Sequence, residues 1–262
     1  MEYRHGPDAG TGNGMNRLIR RSGPVLLILA VLPLLLMLGF WQLNRAEEKR
    51  VILAHHAERQ AAEPVDIARL LDTEDPAYRR VHLQGRFDAA HSLLLDNSTR
   101  DGKAGVELLQ PFQDQPSGLW LWVNRGWLPW PDRRTPPAFT TPSQPQDLTA
   151  WVHVPLGESF HLQADALNDS WPKLVTAVTP ETLWAALDRQ GYPHELRLEP
   201  GSAAYRVDWP VVAIDPQKHV GYAVQWFALA TALLGLSLYW GWRNRKTEEK
   251  PHGSSHEPRR RT

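Results

Sequence analysis

The sequence predicts a membrane protein in which two transmembrane helices flank one α+β domain with a mainly antiparallel sheet or partial barrel. Three observations carry this reading. Residues 23–43 and 220–242 contain no Asp, Glu, Lys or Arg, and runs of that length span about 30 Å or slightly more as helices. The 176 residues between them hold several short segments of strand character. Charge is also partitioned: the first 22 residues carry net +2, the last 20 net +4 and the middle net −6, although the whole chain balances at 29 Lys+Arg against 29 Asp+Glu. A large acidic segment, with basic residues confined beside the apolar runs, excludes a nucleic-acid binder. The absence of cysteine excludes disulfide scaffolds, thiol redox chemistry, Cys zinc sites and copper transfer through paired thiols.

Residues 1–22 form an arm whose Gly10–Gly14 stretch precedes an arginine-bearing anchor and reads as flexible. The first span, 23–43, is a retained anchor. No small-x-small cleavage site follows it, and Phe40, Trp41 and Gln42 lead directly into a charged stretch. Pro33 is tolerated there because neighbours re-satisfy the freed carbonyl. The segment after it, up to about Ala62, is rich in strong helix formers without Gly or Pro, so the helix is expected to continue outward. Glu47 and Glu48 are placed to pair with later basic residues.

Within the middle domain, 44–219, the clearest strand is 81–87, where Val81, Leu83, Gly85 and Phe87 share one face. Further strands are expected at 92–96, 105–112, 118–124, 150–156, 173–178 and 210–214. Thr179 and Pro180 open a short amphipathic helix closing at Gly191, and the five prolines of 131–149 mark a long surface loop. Eight of the twelve Trp fall in this domain and are expected as core and rim aromatics. The second span, 220–242, ends in Tyr239, Trp240 and Trp242, suited to an aromatic belt, and the polar tail 243–262 reads as disordered. Seven basic residues follow this span and few precede it, which places both termini in the cytoplasm and the middle domain on the outer, periplasmic face of a bacterial inner membrane.

The signatures HExxH, GxSxG, GxxxxGK[ST] and the EF-hand loop are absent. His5, His252 and His256 lie in the arm and tail, His82 and His153 on strands as ordinary solvent-facing residues, and the adjacent His55 and His56 point about a hundred degrees apart on a helix. His219 stands at the mouth of the second span and shares a helix face with Tyr222 and Trp226. Two readings remain open: an axial ligand to haem iron covered by those aromatics, or an interfacial anchor. Arg125 either holds a propionate or partner carboxylate, or packs as a strand-end arginine on Trp127. Arg45 reads as an interface anchor.

Four blocks, LGFWQLNRAEEK at 38–49, YRRVHLQGRF at 78–87, WVNRGWLP at 122–129 and HVGYAVQWFALA at 219–230, in this order around one domain, resemble the surfeit-locus-one family of cytochrome c oxidase assembly factors in its bacterial form. The likeness covers nearly all of 23–242. It implies a non-enzymatic factor that binds or positions haem a for insertion into the haem-copper oxidase, with His219 as the iron ligand and Tyr222 and Trp226 along the macrocycle. The rival is a membrane scaffold for oxidase subunits that never touches haem. The implied partners are the oxidase catalytic subunit, haem a synthase and membrane lipids, with no nucleic acid. Trp41, Arg45, Arg125, Gly126 and Trp127 match family motifs without an assigned role. The chain departs from the family in having Gln217 and Lys218 before the motif histidine, and Val106 where an aromatic follows the glycine.

Overall fold

The computed structural model describes residues 12–155 and 170–248; residues 1–11 of the arm and 249–262 of the tail, with His5, His252 and His256, lie outside the described residues. Two compact units emerge: one formed by 1–51 with 212–262, the other by 52–211.

The first unit consists of helices. α1 runs Gly12–Ala61 without a break at Pro33, longer at both ends than the apolar run, so the Gly-rich arm is helical from Gly12 on. α3 runs Pro216–Glu248, starting four residues before the apolar run. Asp215 starts it, its Oδ1 accepting the Gln217 N–H at 2.7 Å, and Pro216 occupies a first-turn position where no N–H is missed. Large apolar side chains along both helices face outward: Leu26 is 64%, Leu29 65%, Leu236 68% and Leu238 66% exposed. Such exposure over a helix's full length suits hydrocarbon, not water. Where the helices meet, the residues are small. Gly39 is buried, and a Cβ there would come within 2.5 Å of the Phe227 ring, while Ala223 and Ala230 are buried on α3. Close backbone approach through small residues is the usual way apolar helices pair in lipid.

The second unit is a closed barrel of five strands: β2 (Arg80–Phe87), β4 (Lys103–Asp114), β5 (Trp120–Pro129), β6 (Gln146–His153) and β8 (Gly191–Leu198). Around the ring the order is β2-β6-β8-β5-β4, and β4 returns to β2 through Gly85–Phe87 paired with Phe112–Asp114. Every contact in the ring is antiparallel except β5 with β8. This is the pairing scheme of the OB barrel. β1 (Val65–Asp66) adds to β2, while β3 (Leu93–Arg100) pairs with β4 and carries the short β7 (Lys173–Val175). The predicted alternation of β2 holds: Val81, Leu83, Gly85 and Phe87 turn inward to meet Phe112, Leu121, Val123, Ala150, Val152 and Leu196. Closure depends on Gly85, because a Cβ there would lie 1.8 Å from the Gln113 carbonyl oxygen.

OB barrels bind ligands over their second and third strands, here β4 and β5. That face is covered in this chain. The short helix α2 (Pro180–Ala186) lays Trp184 on Trp122 of β5, ring centroids 4.9 Å apart and tilted 29°, with Leu93, Leu109, Val175 and Leu183 around them. α2 ends earlier than predicted, since Asp188 turns left-handed at φ 51°. Gly191 is therefore not its cap. It begins β8, where a Cβ would meet the Trp184 ring at 2.4 Å and the Trp120 carbonyl at 2.6 Å.

β8 escaped the sequence reading because Pro193 and the charged residues of GYPHELRL mask its alternation. Pro193 falls where β5 and β8 shift register, between the Trp120–Gly191 and Trp122–Glu195 pairs, so no ladder bond is asked of it. The expected strand at 210–214 is irregular instead; the ring is already closed and offers it no free edge. The proline-rich loop is shorter than expected, since β6 starts at Gln146. The last turns of α1 pack on the barrel, with the His56 ring edge-on to Tyr78 and Trp151 at 5.2 and 5.6 Å.

Candidate functional site

His219 is the fourth residue of α3, and the backbone direction set by Asp215 and Pro216 turns its ring toward α1. The ring is 8% exposed, and its Nδ1 lies 2.7 Å from Gln42 Oε1. An amide oxygen can only accept, so Nδ1 carries the hydrogen and, in the neutral ring, Nε2 holds the lone pair. Nε2 has no hydrogen-bond partner among the described residues, and it is not among the fully buried unpaired atoms. The two aromatics on the same helix behave differently. Trp226 is half-buried near the His219 face, whereas Tyr222 is 47% exposed. Trp41 and Arg45 form a surface pair, the guanidinium 5.9 Å from the ring centroid. Arg45 also donates to Glu48 at 2.6 Å, so Glu48 pairs backward along the helix, and Glu47 pairs with Arg50.

The motif in β5 is buried structure. Arg125 is 2% exposed and donates to Ala203 O at 2.8 Å, Gln110 Oε1 at 2.6 Å and Thr140 O at 2.8 Å, between the rings of Phe87 and Tyr205. Burial pushes its guanidinium below the ordinary arginine value. Its bonds clip the proline-rich loop to the barrel. The expected packing on Trp127 is made by Arg206 instead, 5.7 Å from that ring. Gly126 has φ 114°, and a Cβ there would lie 2.7 Å from Arg206 O, which accepts the Trp127 N–H at 2.8 Å. Trp127 donates its indole N–H to Ser98 O at 3.0 Å.

Asn124, just before this motif, organises a network that sequence reasoning missed. Its Nδ2 donates to Glu107 Oε2 at 2.9 Å and Glu195 Oε1 at 2.8 Å, and its Oδ1 accepts the Gly126 N–H. Arg100 holds the other oxygen of Glu107, and Arg197 shares Glu195 Oε1 with Asn124, each at 3.0 Å. For Glu195 burial pushes the carboxyl up, but Arg197 and the Asn124 bond together hold it below the usual range. A carboxylate pair locked between arginines inside a sheet is a structural tie, not an acid–base pair open to substrate.

His153 does not face solvent as expected. Its Nδ1 is buried without a partner, and burial pushes the ring down to about 4. The group stays neutral in the folded chain and binds a proton in the unfolded one between about pH 6.5 and 4. Stability is therefore fully present above pH 6.5 and lost as pH falls through that window, by about 3 kcal/mol. Thermal unfolding from pH 7 to 4 is expected to show His153→Phe as the less acid-sensitive protein; identical pH dependence of the two would contradict this.

Two clefts flank Trp151, one of about 230 Å³ between Tyr78, His153, Arg197 and Val211, the other of about 210 Å³ between His56, Glu199 and Trp209. Both are smaller than ordinary cofactor pockets. Among the described residues no three His, Asp or Glu side chains gather as a metal site.

Comparison with known proteins places these parts together. The SURF1 family model matches residues 29–231. The chain belongs to the SURF1 family. The match begins within α1 and ends within α3, so it takes in Gln42, His219 and the whole barrel. The chain is similar to a SURF1-like protein of Rickettsia bellii, 28% identical over 80% of this chain and 87% of that one. A second SURF1-like protein, from Rickettsia felis, is 26% identical over 80% of this chain and 92% of that one. A cytochrome oxidase assembly protein of Saccharomyces cerevisiae, SHY1, is 28% identical over 35% of this chain and 24% of its own length. The β5 motif is a barrel element, and the helix pair carries His219 with a partnered Nδ1 and an open Nε2; His91, whose Nδ1 pairs with Asp88 at 2.7 Å, shares that pattern on the barrel.

Proposed function

We propose that this protein is an assembly factor for cytochrome c oxidase that binds or positions haem a at the helix pair, with His219 Nε2 as an exchangeable axial ligand. The observation that carries this reading is the Gln42–His219 hydrogen bond. Histidines that ligate metals usually donate their other ring N–H to an oxygen, which fixes tautomer and orientation, and His219 is held in that way. Tyr222 and Trp226 supply aromatic surface one and two turns along α3. Family membership, and the name of the yeast relative, support oxidase assembly as the process. When bound, haem brings the iron that the oxidase later uses for electron and oxygen chemistry. His219 would hold the iron through Nε2, and a single imidazole would suit hand-over better than a closed two-ligand site.

The basic tail after α3 supports an orientation with both termini cytoplasmic and the barrel on the periplasmic face of the bacterial inner membrane. The partners that follow are the oxidase catalytic subunit and haem a synthase, met within the membrane. A second reading, a scaffold that binds oxidase subunits without touching haem, is favoured by the 8% exposure of His219 and by the small size of the two clefts beside Trp151. The two separate on purification of wild type and His219→Ala from cells that make haem a. The carrier is expected to lose haem on substitution, whereas a scaffold would hold the same subunits, haem-free, in both.

A further inference from the structure

The helix unit pairs a polar side chain from each span, although both lie at or inside apolar runs where a polar group is costly. Gln42 is the one amide or hydroxyl side chain of the first apolar run, which carries no charged residue, and it stands one turn after Gly39, where the helices approach so closely that an added Cβ would meet the Phe227 ring. That approach brings the Gln42 amide to His219. The geometry points to Gln42 as the residue that positions the iron ligand: its Oε1 holds the Nδ1–H, aims Nε2 away from α1 and sets how strongly that nitrogen donates. This rests on the reading of His219 as an iron ligand.

The chemistry follows from the bond itself. A carbonyl oxygen accepting Nδ1–H raises the basicity of Nε2 moderately and locks the tautomer. A carboxylate in its place draws the proton further and makes the imidazole a stronger donor, which favours ferric over ferrous iron. An alkyl group frees the ring to rotate and to place its hydrogen on Nε2, where it blocks ligation. The residue therefore acts through His219 and touches no iron.

The test is titration of the detergent-solubilised full chain with ferric haem b, followed by a redox titration of the loaded protein, for wild type, Gln42→Leu, Gln42→Glu and His219→Ala. Gln42→Leu is expected to weaken binding by about 10–100-fold, the usual effect of losing an outer partner of a metal ligand. Gln42→Glu is expected to keep binding and to shift the midpoint potential downward, a change that loss of helix packing alone would not produce. His219→Ala is expected to abolish the ligated spectrum. Wild-type affinity and potential in both Gln42 variants, with binding lost in His219→Ala, would overturn the role of Gln42 and leave His219 as the ligand. An unchanged spectrum in His219→Ala would overturn the ligand reading and the Gln42 role with it. If Gln42→Leu does not fold, the potential of Gln42→Glu decides alone.

Discussion

Gly85→Ala is expected to lower the unfolding temperature of the barrel by about 6–12 °C, the equivalent of about 3 kcal/mol in a domain of this size. The reason is steric and backbone-based. One added carbon at this position lies 1.8 Å from the Gln113 oxygen, 2.9 Å from its carbonyl carbon and 3.0 Å from the Phe112 ring. Relief requires β2 and β4 to separate along Gly85–Phe87, the contact that turns an open sheet into a ring. Separation would expose two sheet edges and loosen the core around Phe87 and Phe112, whose rings meet at 4.9 Å. Gly221→Ala is the control, since a Cβ there meets nothing within 4 Å, and in a helix alanine is about 1 kcal/mol better than glycine. Circular dichroism melts of the purified full chain measure both. A Gly85→Ala protein melting with wild type would show that the ring does not close at this point.

Asn124→Leu is expected to cost about 3–5 kcal/mol, because it leaves Glu107 and Glu195 facing each other without the amide that bridges them. The Gly126 N–H also loses its acceptor, which unsettles the turn into Trp127. Asn124→Asp is the more telling change, since it places a third carboxylate between two. Its defect is expected to be larger at pH 7 than at pH 5, as protonation relieves the repulsion in acid. Urea unfolding at the two pH values reads the difference. Equal losses for Leu and Asp at both would mean that Asn124 acts through shape and not through charge.

Much of the architecture was legible because membrane spans and half-buried strands write simple patterns. The two charge-free runs located α1 and α3, and the alternation of Val81, Leu83, Gly85 and Phe87 located β2 with its inward face. What stayed hidden depends on contacts between distant residues. β8 carries a proline at a register shift that only the pairing with β5 excuses. Gly191 resembles a helix cap but is required by the Trp184 ring. Arg125 looks like a recognition residue because arginine is rarely buried without a carboxylate, and its carbonyl partners at 140 and 203 carry no signal in sequence. At the site, His219 was visible from its position at the head of the second span. Gln42 lies 177 residues away, and a lone glutamine in an apolar helix was the available clue.

The claim on which the functional account turns is that His219 ligates haem, and the absorption spectrum of detergent-purified protein from cells that make haem a tests it most directly. The account predicts a reduced haem a band in wild type that is lost in His219→Ala, with both proteins equally folded. The same band at the same intensity in the variant would contradict it.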